Sequence, residues 1–85
     1  MYPNPFNPVI NIEYEIPNIY MYNRLLVRLV IYNILGQEIN ILVNYSKHPG
    51  KYSYNFDASH LPAGIYIYNL SVGNLIISGK LLLLK

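Results

Sequence analysis

Hydrophobic and polar residues alternate with a period of two along most of the chain, which is the pattern of half-buried β-strands. The segments with this pattern are 10–16, 25–32, 38–43, 51–56, 65–70 and 75–84. Helical periodicity is weak throughout. Six or seven short strands at this spacing predict an all-β fold, namely a small antiparallel immunoglobulin-like β-sandwich.

Turn-forming residues separate the predicted strands. Pro17 ends the first strand, and Gly36 is expected to take a positive φ in the turn after the second. Pro49-Gly50 marks the next turn, and Gly73-Asn74 is the kind of pair that closes a tight hairpin. In the loop 57–64, the side chains of Asp57 and Ser59 are expected to bond to nearby backbone amides. These signals predict a hairpin between the second and third strands and another at Gly73-Asn74.

The second strand has apolar residues on both faces. Its main row runs along Leu25, Val27, Leu29 and Ile31, while Leu26 and Val30 lie on the opposite face. We therefore expect this strand to be covered on both sides.

The last strand is the most apolar part of the chain. Four leucines, 81–84, stand between Lys80 and Lys85, where the lysines act as gatekeepers against aggregation. The leucine run predicts a buried strand with charges at its ends, and the whole strand 75–84 is expected to be interrupted at Gly79. Such a strand at a sheet edge would also offer unpaired backbone groups to a partner.

The chain of 85 residues fits a single domain, 1–85, in which an extended proline-rich opening segment, 1–9, leads into the first strand. Prolines 3, 5 and 8 favour extended geometry there. Cysteine is absent, so neither disulfides nor a cysteine-based zinc site can support the core. We also expect the natural protein to continue upstream of Met1.

Charge and hydropathy exclude several classes of function. The net charge of +2 is small and the charged residues are scattered along the chain, which argues against nucleic-acid binding. No apolar stretch approaches the ~20 residues that cross a bilayer, so we expect no membrane-spanning segment. The start of the chain lacks the pattern of a signal peptide.

Candidate catalytic and metal-binding residues are few. Asp57, Ser59 and His60 have the right chemistry for a hydrolase, but they crowd into four positions of one loop, and a triad is assembled by the fold from separate elements. His48 and His60 have no accompanying cluster of acidic residues or histidines. We therefore predict no enzyme activity, no catalytic residue, no metal and no cofactor.

Tyrosine is the one unusual residue count, with ten in the chain. Alternation places five of them in the core: Tyr14, Tyr52, Tyr54, Tyr66 and Tyr68. Three others lie in segments that resemble loops and are expected to be exposed: Tyr20, Tyr22 and Tyr45. Exposed tyrosines can stack on sugars, so an accessory carbohydrate-binding module is one alternative function. A structural spacer is another.

Four sequence blocks, in this order and spacing, resemble the type A C-terminal sorting domain of the bacterial type IX secretion system, which is related to the immunoglobulin-like domain of hook-capping proteins. The blocks are Tyr2 to Pro8, residues 31–38, residues 62–68 and residues 80–85. The chain departs from the family pattern in two places, after the last opening proline and in the segment 18–24.

The resemblance implies a function and a set of recognition residues. The family's opening motif falls on Tyr2, Pro3, Asn4, Pro5, Phe6, Asn7 and Pro8. Its glycine-aromatic motif falls on Gly64, Ile65 and Tyr66, and its terminal motif on Lys80, Leu82, Leu84 and Lys85. The implied function is a non-catalytic signal that directs an attached cargo through the type IX outer-membrane translocon.

The implied partners are an upstream cargo domain, the translocon and a surface sortase that removes the domain. The implied destination is the cell surface or the medium, reached through the periplasm of a Gram-negative-type bacterium. A further expected contact is weak self-association of the domain through an edge strand.

Overall fold

The fold is built only from antiparallel strands. The computed structural model describes residues 9–18 and 24–84. Within these residues there is no helix, and the strands are β1 (Val9–Ile16), β2 (Leu25–Asn33), β3 (Glu38–Lys47), β4 (Gly50–Asp57), β5 (Gly64–Val72) and β6 (Leu75–Leu83). The predicted all-β class is confirmed.

The strands form two sheets that enclose one hydrophobic core. One sheet has two strands in the order β1-β4, and the other has four in the order β3-β2-β5-β6. Each strand contributes to the core, as do two residues of the loop between β4 and β5. The largest fully buried side chains are Ile16, Val27, Leu29, Val30 and Ile31. The predicted sandwich is therefore confirmed, with β2 and β5 in the middle of the larger sheet.

The observed strand bounds differ from the predicted ones chiefly in β3. β3 continues to Lys47, four residues beyond the predicted end, since its pairing with β2 persists as far as Leu25. Tyr45 therefore lies in a strand rather than in a loop, although its side chain is exposed as expected. The sequence does not predict this extension because its residues are polar, and an edge strand can pair without an apolar face.

Only part of β2 is covered on its second face. Val30 is 1% exposed, but Leu26 on the same face is 56% exposed, so the expectation of full coverage is wrong. The guanidinium of Arg28 reaches along this face to the carboxylate of Glu38, at 3.3 Å. Val30 lies between Arg28 and Tyr32, the residue that pairs with Glu38, on the same face as this ion pair.

The expected interruption of the last strand at Gly79 is wrong. β6 pairs with β5 without a register shift from Gly64↔Leu83 to Val72↔Leu75. Gly79 lies opposite Tyr68, and a Cβ atom at this position would overlap the ring of Tyr68. The glycine therefore makes room for an aromatic ring across the strand pair instead of breaking the strand.

The turn between β2 and β3 is organised by Asn33. Its side-chain oxygen accepts hydrogen bonds from the backbone N–H groups of Leu35 and Gln37, at 2.9 and 3.0 Å. Gly36 has a φ of +81°, which confirms its predicted role in the turn. An asparagine that satisfies two backbone donors fixes the hairpin without a buried contact.

The loop between β4 and β5 is held by its own hydrogen bonds. Asp57 accepts a bond from the backbone N–H of Ser59 at 3.0 Å, as expected for this residue. The backbone N–H of Leu61 donates to the carbonyl of Ala58, and both of these side chains are buried. The start of β5 is thereby fixed relative to the core.

Candidate functional site

Residues of the two motifs near the end of the chain lie side by side on β5 and β6. The register pairs Ile65 with Leu82 and Ile67 with Lys80. These residues point away from the core, on the outer face of the larger sheet. The structure therefore brings Ile65, Lys80, Leu82 and Leu84 into one exposed group, which we call the terminal patch.

The leucine run is exposed on one face only. Leu83 is 2% exposed, whereas Leu82 and Leu84 on either side are 66% and 69% exposed. The prediction of a wholly buried terminal strand is therefore wrong. A run of leucines looks the same in sequence whether one or both faces are covered, and here the smaller sheet covers only the inner face.

Two residues of the glycine-aromatic motif have structural roles. Tyr66 is buried, and its hydroxyl donates a hydrogen bond to the carbonyl of Pro62 at 2.6 Å. Gly64 has a φ of +153°, and nothing lies within 4 Å of the position that a Cβ atom would take. A larger residue at position 64 would thus be disfavoured by the backbone conformation and not, as the turn position alone suggests, by crowding.

The exposure of other apolar residues of β6 was not predicted from the sequence. Leu75, Ile76 and Ile77 are all exposed, at the end of β6 far from the terminal patch. Lys80 is the one charged residue in this strand. No described strand pairs with the second edge of β6. The signal in the sequence is the strand's place at the end of the described chain, since a strand at a sheet edge has one neighbour fewer.

Some motif residues lie outside the described part of the chain. They are Tyr2, Pro3, Asn4, Pro5, Phe6, Asn7, Pro8 and Lys85, and the same holds for Tyr20 and Tyr22. Their roles remain predictions from the sequence.

The residues with catalytic chemistry are engaged in local structure. The carboxylate of Asp57 accepts the backbone bond from Ser59, and the ring of His60 lies edge-on to Phe56, with 6.4 Å between centroids. Within residues 9–18 and 24–84, no group of three or more His, Cys, Asp or Glu residues is arranged to hold a metal ion.

The described tyrosines serve the core more than the surface, as expected. Tyr14, Tyr52, Tyr54 and Tyr68 are half-buried against the core, and Tyr66 belongs to it. Tyr45 is the one tyrosine in the described ranges that is mostly exposed. The described residues therefore present no flat platform of three tyrosines, as the carbohydrate-binding alternative would require.

An open cleft of about 500 Å³ is lined by residues of the paired strands β1 and β4. The rings of Tyr14 and Tyr52 stack in it at 5.5 Å, and the hydroxyl of Tyr52 donates to the carbonyl of His48 at 2.6 Å. Burial, together with repulsion from Tyr52, raises the pKa of Tyr14 above its ordinary value of 10.0. The cleft is lined by these rings and by the polar side chains of Glu13, Glu15, Lys51 and Ser53.

The architecture and its last strand define a small β-sandwich with an exposed apolar surface on β6. The family model for the secretion system C-terminal sorting domain matches residues 1–84, and the chain belongs to that family. It is thus a C-terminal sorting signal of the type IX secretion system, which implies contact with that machinery and delivery to the cell surface or beyond.

Neither the comparison with curated proteins nor the comparison with solved structures found a match. In the described residues, no helix combines the length and hydropathy needed to cross a membrane.

Proposed function

We propose that the terminal patch is the surface by which the type IX translocon recognises this domain. Family membership supports a sorting role for the chain as a whole. The observation that carries the choice of surface is the pairing of Ile65 with Leu82, which joins two motifs that lie far apart in the sequence. An exposed apolar group held on a regular strand gives a partner a fixed target.

The same strand would hold the domain together and present the signal. Its inward side chain, Leu83, anchors β6 in the core, while Leu82 and Leu84 face outward. Recognition would therefore require the folded sandwich, because only the pairing of β6 with β5 brings Ile65 beside Leu82. The domain itself would perform no catalysis.

A paired substitution tests this choice of surface. A reporter with an inner-membrane signal peptide carries the domain at its C-terminus in a host with the type IX system. We expect Leu82→Ser with Leu84→Ser to leave the reporter mainly in the periplasm, while the domain stays folded. Leu26→Ser is the matched control, because Leu26 lies on the same face and is also exposed. Normal surface delivery of the paired variant would refute recognition through the patch.

We further propose that the domain is removed by a surface sortase once the cargo has crossed the outer membrane. The opening motif, Tyr2 to Pro8, would connect the sandwich to that cargo. Removal would shorten the surface-exposed reporter by roughly the 9.8 kDa of the domain. An immunoblot that shows the full-length fusion on the surface would contradict this step.

A further inference from the structure

We propose that two copies of the chain pair through the edge of β6 that no described strand covers, antiparallel and across a two-fold axis at Gly79. The pairing would join the two larger sheets into one continuous sheet of eight strands. This contact goes beyond the proposed export function, because it involves no part of the secretion machinery.

β6 is the least protected edge in the described part of the molecule. It pairs with β5 over its full length without a bulge, contains no proline and has a single charge, Lys80. The opposite edge of the sheet differs, because the pairing of β3 with β2 shifts register twice and β3 has exposed polar residues. Bulges and charges are the usual protection of sheet edges, and a long apolar edge without them tends to pair.

The exposed apolar residues of β6 match each other about Gly79. In a two-fold antiparallel pair centred there, Ile76 of one copy lies opposite Leu82 of the other, and both side chains are exposed in the single chain. Ile76 is 65% exposed in the single chain, so this contact would cover apolar surface on both copies. An isologous interface of this kind needs only one self-complementary strand.

The charge pattern selects this register over its neighbours. With the axis at Gly79, Lys80 lies opposite Ser78 of the other copy. An axis at Lys80 would place the two lysines directly opposite each other, which is unfavourable, and an axis at Ser78 would place Lys80 against Ile76. Registers shifted by one residue would turn inner side chains to the outer face.

The interface is small, so the dimer should be weak. One nine-residue strand pair is well below the area of a standard protein interface. We expect a dissociation constant on the order of 100 µM. The two copies of Lys80 would be diagonal neighbours, about 7–8 Å apart, so added salt should strengthen the association.

Cysteine pairing tests the register directly, because the chain has no cysteine of its own. One preparation carries Ile76→Cys and the other Leu82→Cys, and the two are mixed under mild oxidation. In the proposed register these positions are directly opposite, whereas two copies of residue 76 are about 20 Å apart. We expect the mixed disulfide to form several-fold faster than either homodimer. Equal rates for all three would overturn the register.

Analytical ultracentrifugation over a range of concentrations tests the association itself. The unmodified chain should shift from monomer to dimer, and Ile76→Lys should remain monomeric with an unchanged circular dichroism spectrum. Leu26→Lys is the control, since Leu26 is similarly exposed but lies on β2, away from the edge.

Three outcomes would overturn the proposal. A wild-type chain that stays monomeric at all concentrations would show that the edge of β6 does not pair with a second copy. Loss of the dimer in both lysine variants would indicate face-to-face packing of the sheets. A dimer that persists with Ile76→Lys would place the contact elsewhere. Because these measurements use the purified domain, they are independent of the export assay.

Discussion

Gly79 has a specific packing role at the level of single residues. It lies across the strand pair from Tyr68, whose ring occupies the space that a side chain would need. Sequence alone favours an interruption at such a glycine, because a strand glycine often marks a bulge. The ring that requires it becomes visible only when β5 and β6 are placed together.

We predict that Gly79→Ala destabilises the domain by about 1–3 kcal/mol, because the ring of Tyr68 must move to admit a methyl group. Urea unfolding measures the change. The same substitution in a Tyr68→Leu background serves as control and should cost less, since the obstructing ring is gone. A Gly79→Ala domain as stable as the wild type would show that the ring moves freely.

The raised pKa of Tyr14 predicts a loss of stability at high pH. Its pKa is above 10.0 in the folded state because of burial and repulsion from Tyr52. The neutral hydroxyl is therefore favoured by folding, so its contribution is full below pH 10 and is lost as the pH rises above that value.

Unfolding free energies from about pH 8 to about pH 11 check this prediction. Tyr14→Phe should flatten the decline at the alkaline end, while Tyr45→Phe, at an exposed position, should leave it unchanged. Identical declines in the wild type and Tyr14→Phe would show that Tyr14 is not responsible.

At the level of elements, the inner face of β6 packs into the core at Leu83 and its outer face is exposed. We predict that Leu83→Ala costs about 2–4 kcal/mol of folding stability, because it leaves a cavity beside the core. Leu82→Ala removes the same atoms from an exposed position and should change stability by less than about 0.5 kcal/mol. Thermal unfolding of the two variants measures the contrast, and equal losses would contradict the assignment of faces.

The pattern of the sequence predicts the elements better than their exposure. Alternation locates all six strands, and glycine and proline locate the turns. The end of β3 could not be predicted, because its last residues are polar and its backbone pairing with β2 needs no apolar side chains there. The exposure of Leu82 and Leu84 could not be predicted from the run 81–84, because whether a strand face is covered depends on which strands pack against it.

The terminal patch could be predicted only in part. The terminal motif and Ile65 are recognisable from the family resemblance, but their contact depends on the register of β5 with β6. The resemblance also groups Tyr66 with the recognition residues, although its side chain is buried. A motif in sequence does not separate residues that hold the fold from residues that face a partner.

At the scale of the whole molecule, the sandwich core holds the last strand in place. The core takes side chains from every strand, and Leu83 fixes β6 to it, while Leu82 on the outer face is exposed and no described strand pairs with the second edge of β6. A small sheet of two strands is enough to cover the inner face of the central strands, while Leu75, Ile76, Ile77 and Leu82 of β6 stay exposed.

The most direct measurement is the location of a reporter that carries either the full domain or a version shortened before Lys80. Both are expressed in hosts with and without a functional type IX translocon. We predict that only the full domain in the competent host delivers the reporter to the surface, and that the other three combinations retain it in the periplasm. Surface delivery of the shortened version, or delivery by the full domain without the translocon, would contradict the sorting role of this strand.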